Sequence, residues 1–131
     1  INYLENLPED NKLCHGDFHP DNVLVNNGNW IIDWMTGMSG DPTGDVARSI
    51  VIFNLGTMPE GTPKIIKIIV NFIRNRIKNE YIKEYLNITG KDYSEIDKWV
   101  LPVAAARLVE SIPQEEQEKL VVFIKDRLRA I

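Results

Sequence analysis

A chain of 131 residues, 44% hydrophobic and 26% charged, has the length and balance of one domain able to bury a core. No apolar run approaches the ~20 residues that a helix needs to cross a bilayer, so no membrane partner is expected. The net charge of −4 is uneven: residues 1–48 hold eight acids against two bases, a net of −6, while the remainder is +2. That distribution argues against nucleic acid as a partner and favours cations near the N-terminal third.

Residues 1–12, INYLENLPEDNK, are polar and acidic, unlike a signal peptide. The chain does not open with Met, so it reads as a piece of a longer protein. Cys14 is the only cysteine, which rules out an internal disulfide and suits a reducing, cytoplasmic setting. With no histidine outside its own segment to act as a base, Cys14 reads as a buried structural thiol.

The segment His15–Asn22, HGDFHPDN, packs two histidines, two acids and an amide into eight positions. Next come two β-type runs, VLV and WIID, around NNGN, and Asn-Gly is a strong hairpin signal. A turn centred on Asn27-Gly28 would set Val25 opposite Trp30, Leu24 opposite Ile31 and Val23 opposite Ile32. The next pair would be Asn22 and Asp33, with Cβ atoms ~4.5–5.5 Å apart. Two oxygen ligands so placed suit Mg²⁺, which keeps few protein ligands and fills its remaining positions with water or phosphate oxygens.

From about residue 44 the pattern is helical. Val46, Ala47, Ile50, Val51 and Phe53 form the first stripe. Thr62-Pro63 opens a second helix with Ile65, Ile69, Phe72, Ile73 and Ile77 on one face and Lys67, Arg74 and Lys78 facing away. A short helix through Tyr81, Ile82, Tyr85 and Leu86 ends near Gly90. Ser94 and Asp97 resemble a capping box for a helix running to about Glu110, carrying Ile96, Trp99, Val100, Val103, Ala104 and Leu108. Pro102 should kink or split it. The last helix starts at Pro113, with Glu115 and Glu116 in its first turn and Lys125, Arg127 and Arg129 in its last. Leu120, Val121, Ile124 and Leu128 form its inner stripe. All these stripes read as core packing, so the expected fold is mainly α with one short β-hairpin.

Phosphoryl transfer needs a carboxylate to orient or deprotonate a hydroxyl, and an Asn/Asp pair to hold metals that bridge nucleotide phosphates. Asp17 and Asn22 have the Asp-x-x-x-x-Asn spacing of a protein-kinase catalytic loop, and Asp33 follows a short hairpin as the kinase metal-binding Asp does. With LCHGDFHPDNVLV, WIIDW and GDPTGDVAR in order over residues 13–48, the chain resembles the aminoglycoside phosphotransferase/choline kinase-like family.

The resemblance implies the helical C-terminal lobe of a protein-kinase-like fold without its N-terminal lobe. It also implies transfer of the γ-phosphoryl group of ATP or GTP to a small-molecule hydroxyl, an aminoglycoside or another amino-bearing compound. Asp17 becomes the catalytic carboxylate, and Asn22 and Asp33 the Mg²⁺ ligands. His15, His19 (with Pro20) and Asp45 support the loop, and Asp41-Pro42 forms a turn. Arg48 is expected only to pair with one of these acids, and Trp34 to be core or pocket wall.

The layout is one domain, residues 1–131: loop, metal-binding hairpin and turn over 1–48, helical subdomain over 49–131. The missing lobe is an expected partner, a dimer contact through exposed lobe surface is another, and the chain alone is expected to be inactive. Departures from the family pattern are Asp21, where many relatives have Gly, and Met35, where an acid is common. No glycine-rich phosphate loop or strand lysine is present in the chain. Alternative readings are a non-catalytic pseudokinase-like domain, and a metal-dependent hydrolase using His15, Asp17, His19 and Asp21.

Overall fold

The computed structural model describes residues 2–131. Its elements run α1 (Asn2–Glu5), β1 (Lys12–Cys14), β2 (Val23–Val25), β3 (Asn29–Ile31), β4 (Met38–Gly40), α2 (Pro42–Leu55), α3 (Lys64–Thr89), α4 (Tyr93–Arg107) and α5 (Gln114–Arg129). Most of the chain is helical. The strands form two small antiparallel sheets, β1 with β4 and β2 with β3. The β1–β4 pair was not expected: each strand has three residues, too few to show a period in sequence.

The β2–β3 hairpin forms, but one residue out of the expected register. Val23 pairs with Ile31, Leu24 with Trp30 and Val25 with Asn29. The loop is three residues long, with Asn27 at φ 49° and Gly28 at φ 152°, and the Asn26 N–H donates to the Gly28 carbonyl at 3.0 Å. A three-residue loop with a left-handed position is the next most common hairpin connection after the two-residue turn. The ladder continues one step, Ile32 N–H to Asn22 C=O at 3.0 Å. Asn22 therefore faces Ile32, and Asp33 lies one residue beyond the pair.

Helix α2 starts at residue 42. Asp41 caps it by accepting from the Thr43 N–H at 2.7 Å and from the Thr43 hydroxyl, and Pro42 occupies the first turn, where no N–H is needed. Val46, Ala47, Ile50 and Val51 are buried against Ile96, Val100 and Ala104 of α4 and Leu120 of α5. Trp99 closes this core from the side. Its ring lies so near Gly44 that a Cβ there would come within 3.2 Å, and its indole N–H is buried without a partner among the described residues.

Four helix expectations change. The Thr62-Pro63 helix and the Tyr81–Leu86 helix are one, α3, ending at Gly90 in the left-handed conformation (φ 68°). No breaker stands between Lys64 and Gly90, so the helix runs through. Helix α4 is capped by Asp92, whose N–H donates to Glu95 Oε1 at 3.1 Å, in place of Ser94/Asp97. It also survives Pro102 unbroken. Proline lacks the N–H that would bond the Lys98 carbonyl, and the Tyr3 hydroxyl donates to that carbonyl instead, at 2.8 Å. On α5 only Leu120 of the expected stripe is fully buried, while Val121 and Leu128 are exposed.

The largest correction concerns the first half of α3. Ile65, Ile69, Phe72, Ile73 and Ile77 do share a face, but that face is exposed. The polar side holds the contacts: Arg74 donates to the Gly56 carbonyl at 3.0 Å and Lys78 to Asn54 Oδ1 at 2.6 Å. Only in its second half do apolar residues of α3, namely Tyr81, Ile82, Tyr85 and Leu86, pack on the core. Among the described residues no helix is long and apolar enough to cross a membrane.

Candidate active site

The loop after β1 turns at Gly16, with φ 79°. A Cβ there would lie 2.5 Å from the Thr36 carbonyl oxygen, so both conformation and space demand glycine. The turn is held from behind by α2. Asp45 Oδ2 accepts from the His15 N–H at 2.8 Å, and Oδ1 from the Gly16 N–H at 2.7 Å. One turn along the same helix face, Arg48 Nε donates to the Gly16 carbonyl. Gly16 thus has its donor taken by an anion and its acceptor by a cation. The Thr36 hydroxyl adds a bond to the His15 carbonyl at 3.0 Å.

Arg48 does not pair with an acid of the loop region. Its guanidinium grips Glu110, after α4, through Nη1 at 2.6 Å and Nη2 at 3.0 Å. Glu110 also accepts from Arg107, which in turn holds the buried Glu116 of α5 at 2.5 Å. A chain of bidentate and single charge-assisted bonds therefore runs from the loop to the last helix. Sequence reasoning missed Thr36 and Glu110, and gave Arg48 an ion pair but not this partner. The i, i+3 spacing of Asp45 and Arg48 was a usable signal for Arg48. Glu110, 62 residues away from Arg48, had none.

His15 links the loop to the hairpin. Its Nε2 lies 2.8 Å from the Ile32 carbonyl, and its Nδ1 accepts from the Asp17 N–H at 3.2 Å. Both bonds are satisfied together by the tautomer with its proton on Nε2. Trp34, which stands 44% exposed and so outside the core, covers the imidazole with ring centroids 4.6 Å apart.

Asp17 emerges beyond this clamp. Its Oδ2 is 3.4 Å from His19 Nε2 and 3.4 Å from Asn22 Nδ2. Asn22 is buried at the end of a 3₁₀ turn, Pro20–Asn22, and its Nδ2 donates to the Asp17 carbonyl at 2.9 Å. With the nitrogen so engaged, the amide oxygen accepts no donor from the described residues. Asp33 adopts the left-handed conformation (φ 59°) at the end of the hairpin, and its exposed carboxylate has no partner among the described residues. Two hard oxygens without protein donors are a donor set that suits Mg²⁺. Asp21 points into solvent, 3.8 Å from His19 Nδ1.

Two nearby groups are perturbed by their surroundings. Burial, helped by the charges of Asp45 and Asp41, pushes the Cys14 thiol up, which keeps it an inert packing group. Burial and the Asp45 charge push the Tyr81 phenol up to about 12, against a lowering by Ser49. The Tyr81 ring packs on Phe18 with centroids 5.4 Å apart. His15, Asp17, His19 and Asp21 do not converge as a hydrolytic metal cluster would. Among the described residues no group of three or more His, Cys, Asp or Glu side chains could hold a metal.

No curated protein and no solved structure matches the chain with significance. A family model does, that of the phosphotransferase enzyme family, over residues 2–99. That span takes in the Gly16 clamp, the hairpin, α2, α3 and the first part of α4, about three quarters of the sequence. The chain belongs to the phosphotransferase enzyme family.

Proposed function

We propose that the chain is the acceptor-activating part of a small-molecule kinase with a protein-kinase-like C-terminal lobe, transferring the γ-phosphoryl group of ATP or GTP to a hydroxyl. The observation that carries this reading is the setting of Asp17. Its carboxylate follows a residue, Gly16, that is held at both its N–H and its carbonyl, and it is flanked by His19 and Asn22. Such a carboxylate is placed to bind and orient an acceptor hydroxyl and to take its proton as the oxygen attacks phosphorus. The new O–P bond forms while the bond to the nucleoside diphosphate breaks, and the diphosphate leaves.

Asn22 and Asp33 would hold Mg²⁺. When bound, the ion neutralises charge on the phosphate oxygens. Asn22 has a second duty, since its Nδ2 bonds to Asp17 hold the carboxylate's loop. His15 fixes the Nε2–H tautomer that ties Asp17 to the residue before Asp33. The exposed apolar residues of the hairpin, Leu24, Val25, Trp30 and Ile31, are a surface on which a nucleotide-binding lobe could close. A lone, buried cysteine suits a reducing compartment, here taken as the cytoplasm.

The test is a coupled nucleoside-diphosphate release assay on the full-length protein with a panel of hydroxyl acceptors and Mg²⁺. Asp17→Ala should lower kcat by about 10²-fold or more. A variant that keeps the wild-type rate would remove the proposed mechanism.

A further inference from the structure

Two cavities open beside the loop of Asp17. One, of about 370 Å³, is walled by Phe18, Pro20, Val25, Phe53, Ile77 and Tyr81. The other, of about 410 Å³, runs along α3 past Ile73 and Ile77 toward the junction of α4 and α5. They share His19, Pro20, Phe53 and Ile77 as common walls, and so adjoin as the two parts of one cleft beside α3. His19 joins it to the chemistry, because its Nε2 is 3.4 Å from Asp17 Oδ2. The cleft begins one side chain away from the carboxylate.

Its charges do not suit a polycation. The charged residues lining the second cavity are Asp21, Arg74, Arg107 and Glu116, with His19 beside them. Glu116 is committed to Arg107, and Arg107 also reaches Glu110, which Arg48 holds as well. Arg74 donates to the Gly56 carbonyl and pairs with no carboxylate among the described residues. Asp21 is the one lining acid without an arginine. An amino sugar with several ammonium groups requires several uncompensated acids, and this cleft offers one acid and an unpaired arginine.

We infer that the acceptor has an apolar body, uncharged or with a single charge, lying in the cleft between the 19–21 turn and α3, with its hydroxyl directed to Asp17. This rests on the phosphotransferase reading for the hydroxyl, but the cleft's preference stands on its lining alone. Burial of apolar surface supplies the affinity, and the few polar groups at the loop end set the orientation.

Binding without turnover tests it. The probe is n-octyl β-D-glucoside, a hydroxyl compound with an apolar tail, titrated calorimetrically into the full chain below its micelle-forming concentration. Saturable one-to-one binding is expected, undisturbed by excess kanamycin A. Ile77→Asp should weaken it about tenfold or more, because a charge then meets the tail. Val25→Asp, on a different element, should act the same way if Ile77→Asp does not fold. Phe72→Asp lies on the exposed side of α3 outside the cleft and should leave binding unchanged.

Displacement by kanamycin A, absence of binding, or equal weakening by Phe72→Asp and Ile77→Asp would each overturn the inference. Failure of the Asp17 test leaves this result in place, so the two readings fail separately.

Discussion

The Gly16 turn and the first half of α3 are opposites in how they are held. Around Gly16, every polar group of a short loop has a directional partner: Asp45 on two N–H groups, Arg48 and Thr36 on two carbonyls, His15 on both neighbouring segments. In residues 64–77 the apolar side faces outward, and bonds such as that of Arg74 to Gly56 hold the helix to α2. A hydrogen bond specifies which atom meets which, so a polar motif encodes its own geometry. An apolar stripe specifies only that some surface should cover it, and does not say which one.

The sharpest way to break that contrast is to remove the anion under the loop. Asp45→Ala leaves two buried N–H groups unsatisfied and should destabilise the chain by about 3 kcal/mol in a urea melt. A loss below about 1 kcal/mol would mean that water replaces the carboxylate and that the clamp is not structural. Gly16→Ala follows, at about 2 kcal/mol, from the left-handed backbone and the contact with the Thr36 carbonyl. An unchanged midpoint would show that the turn can relax.

A smaller effect separates the second half of α3 from the first. Tyr81, where the helix does pack inward, has its phenol raised from 10.0 to about 12. Between these values the unfolded chain has lost the proton and the folded chain keeps it. The folded state then binds more protons, so stability falls as pH rises through the window and is fully present below it. Tyr81→Phe should flatten the alkaline decline by about 1–2 kcal/mol between pH 10 and 12. Tyr85 and Tyr93 are also raised by burial and would leave a residual slope. Equal slopes in mutant and wild type would place Tyr81 in water. The smallest change belongs to the exposed stripe, where Phe72→Asp should shift stability by no more than about 0.5 kcal/mol. A loss of several kcal/mol would put that face in the core after all.

Much of the candidate site was legible because its parts lie close in sequence. Asp17, Asn22 and Asp33 fall within seventeen residues, and Asp45 arrives on the next helix. The hairpin was legible as a hairpin but not in register. Asn-Gly fits both a two-residue turn and a three-residue loop, and one residue of slip exchanges Asp33 for Ile32 opposite Asn22. The inverted helix was not legible, since periodicity gives a stripe and not its direction. Nor was survival of α4 across Pro102, where the freed Lys98 carbonyl is taken by Tyr3 from the far end of the chain.

By itself the sequence determined the local chemistry: the acids and amide of the loop, the presence of a hairpin after it, and membership of a phosphotransferase family. These follow from residue types and short spacings, which survive without knowledge of the rest of the molecule. Only the tertiary structure decided that Arg48 reaches Glu110, that the first half of α3 leaves Ile65, Ile69 and Phe72 exposed, and that an apolar cleft lies beside Asp17. Each joins groups distant in sequence, and their meeting depends on how whole helices pack, a sum of many weak contacts that no short motif records.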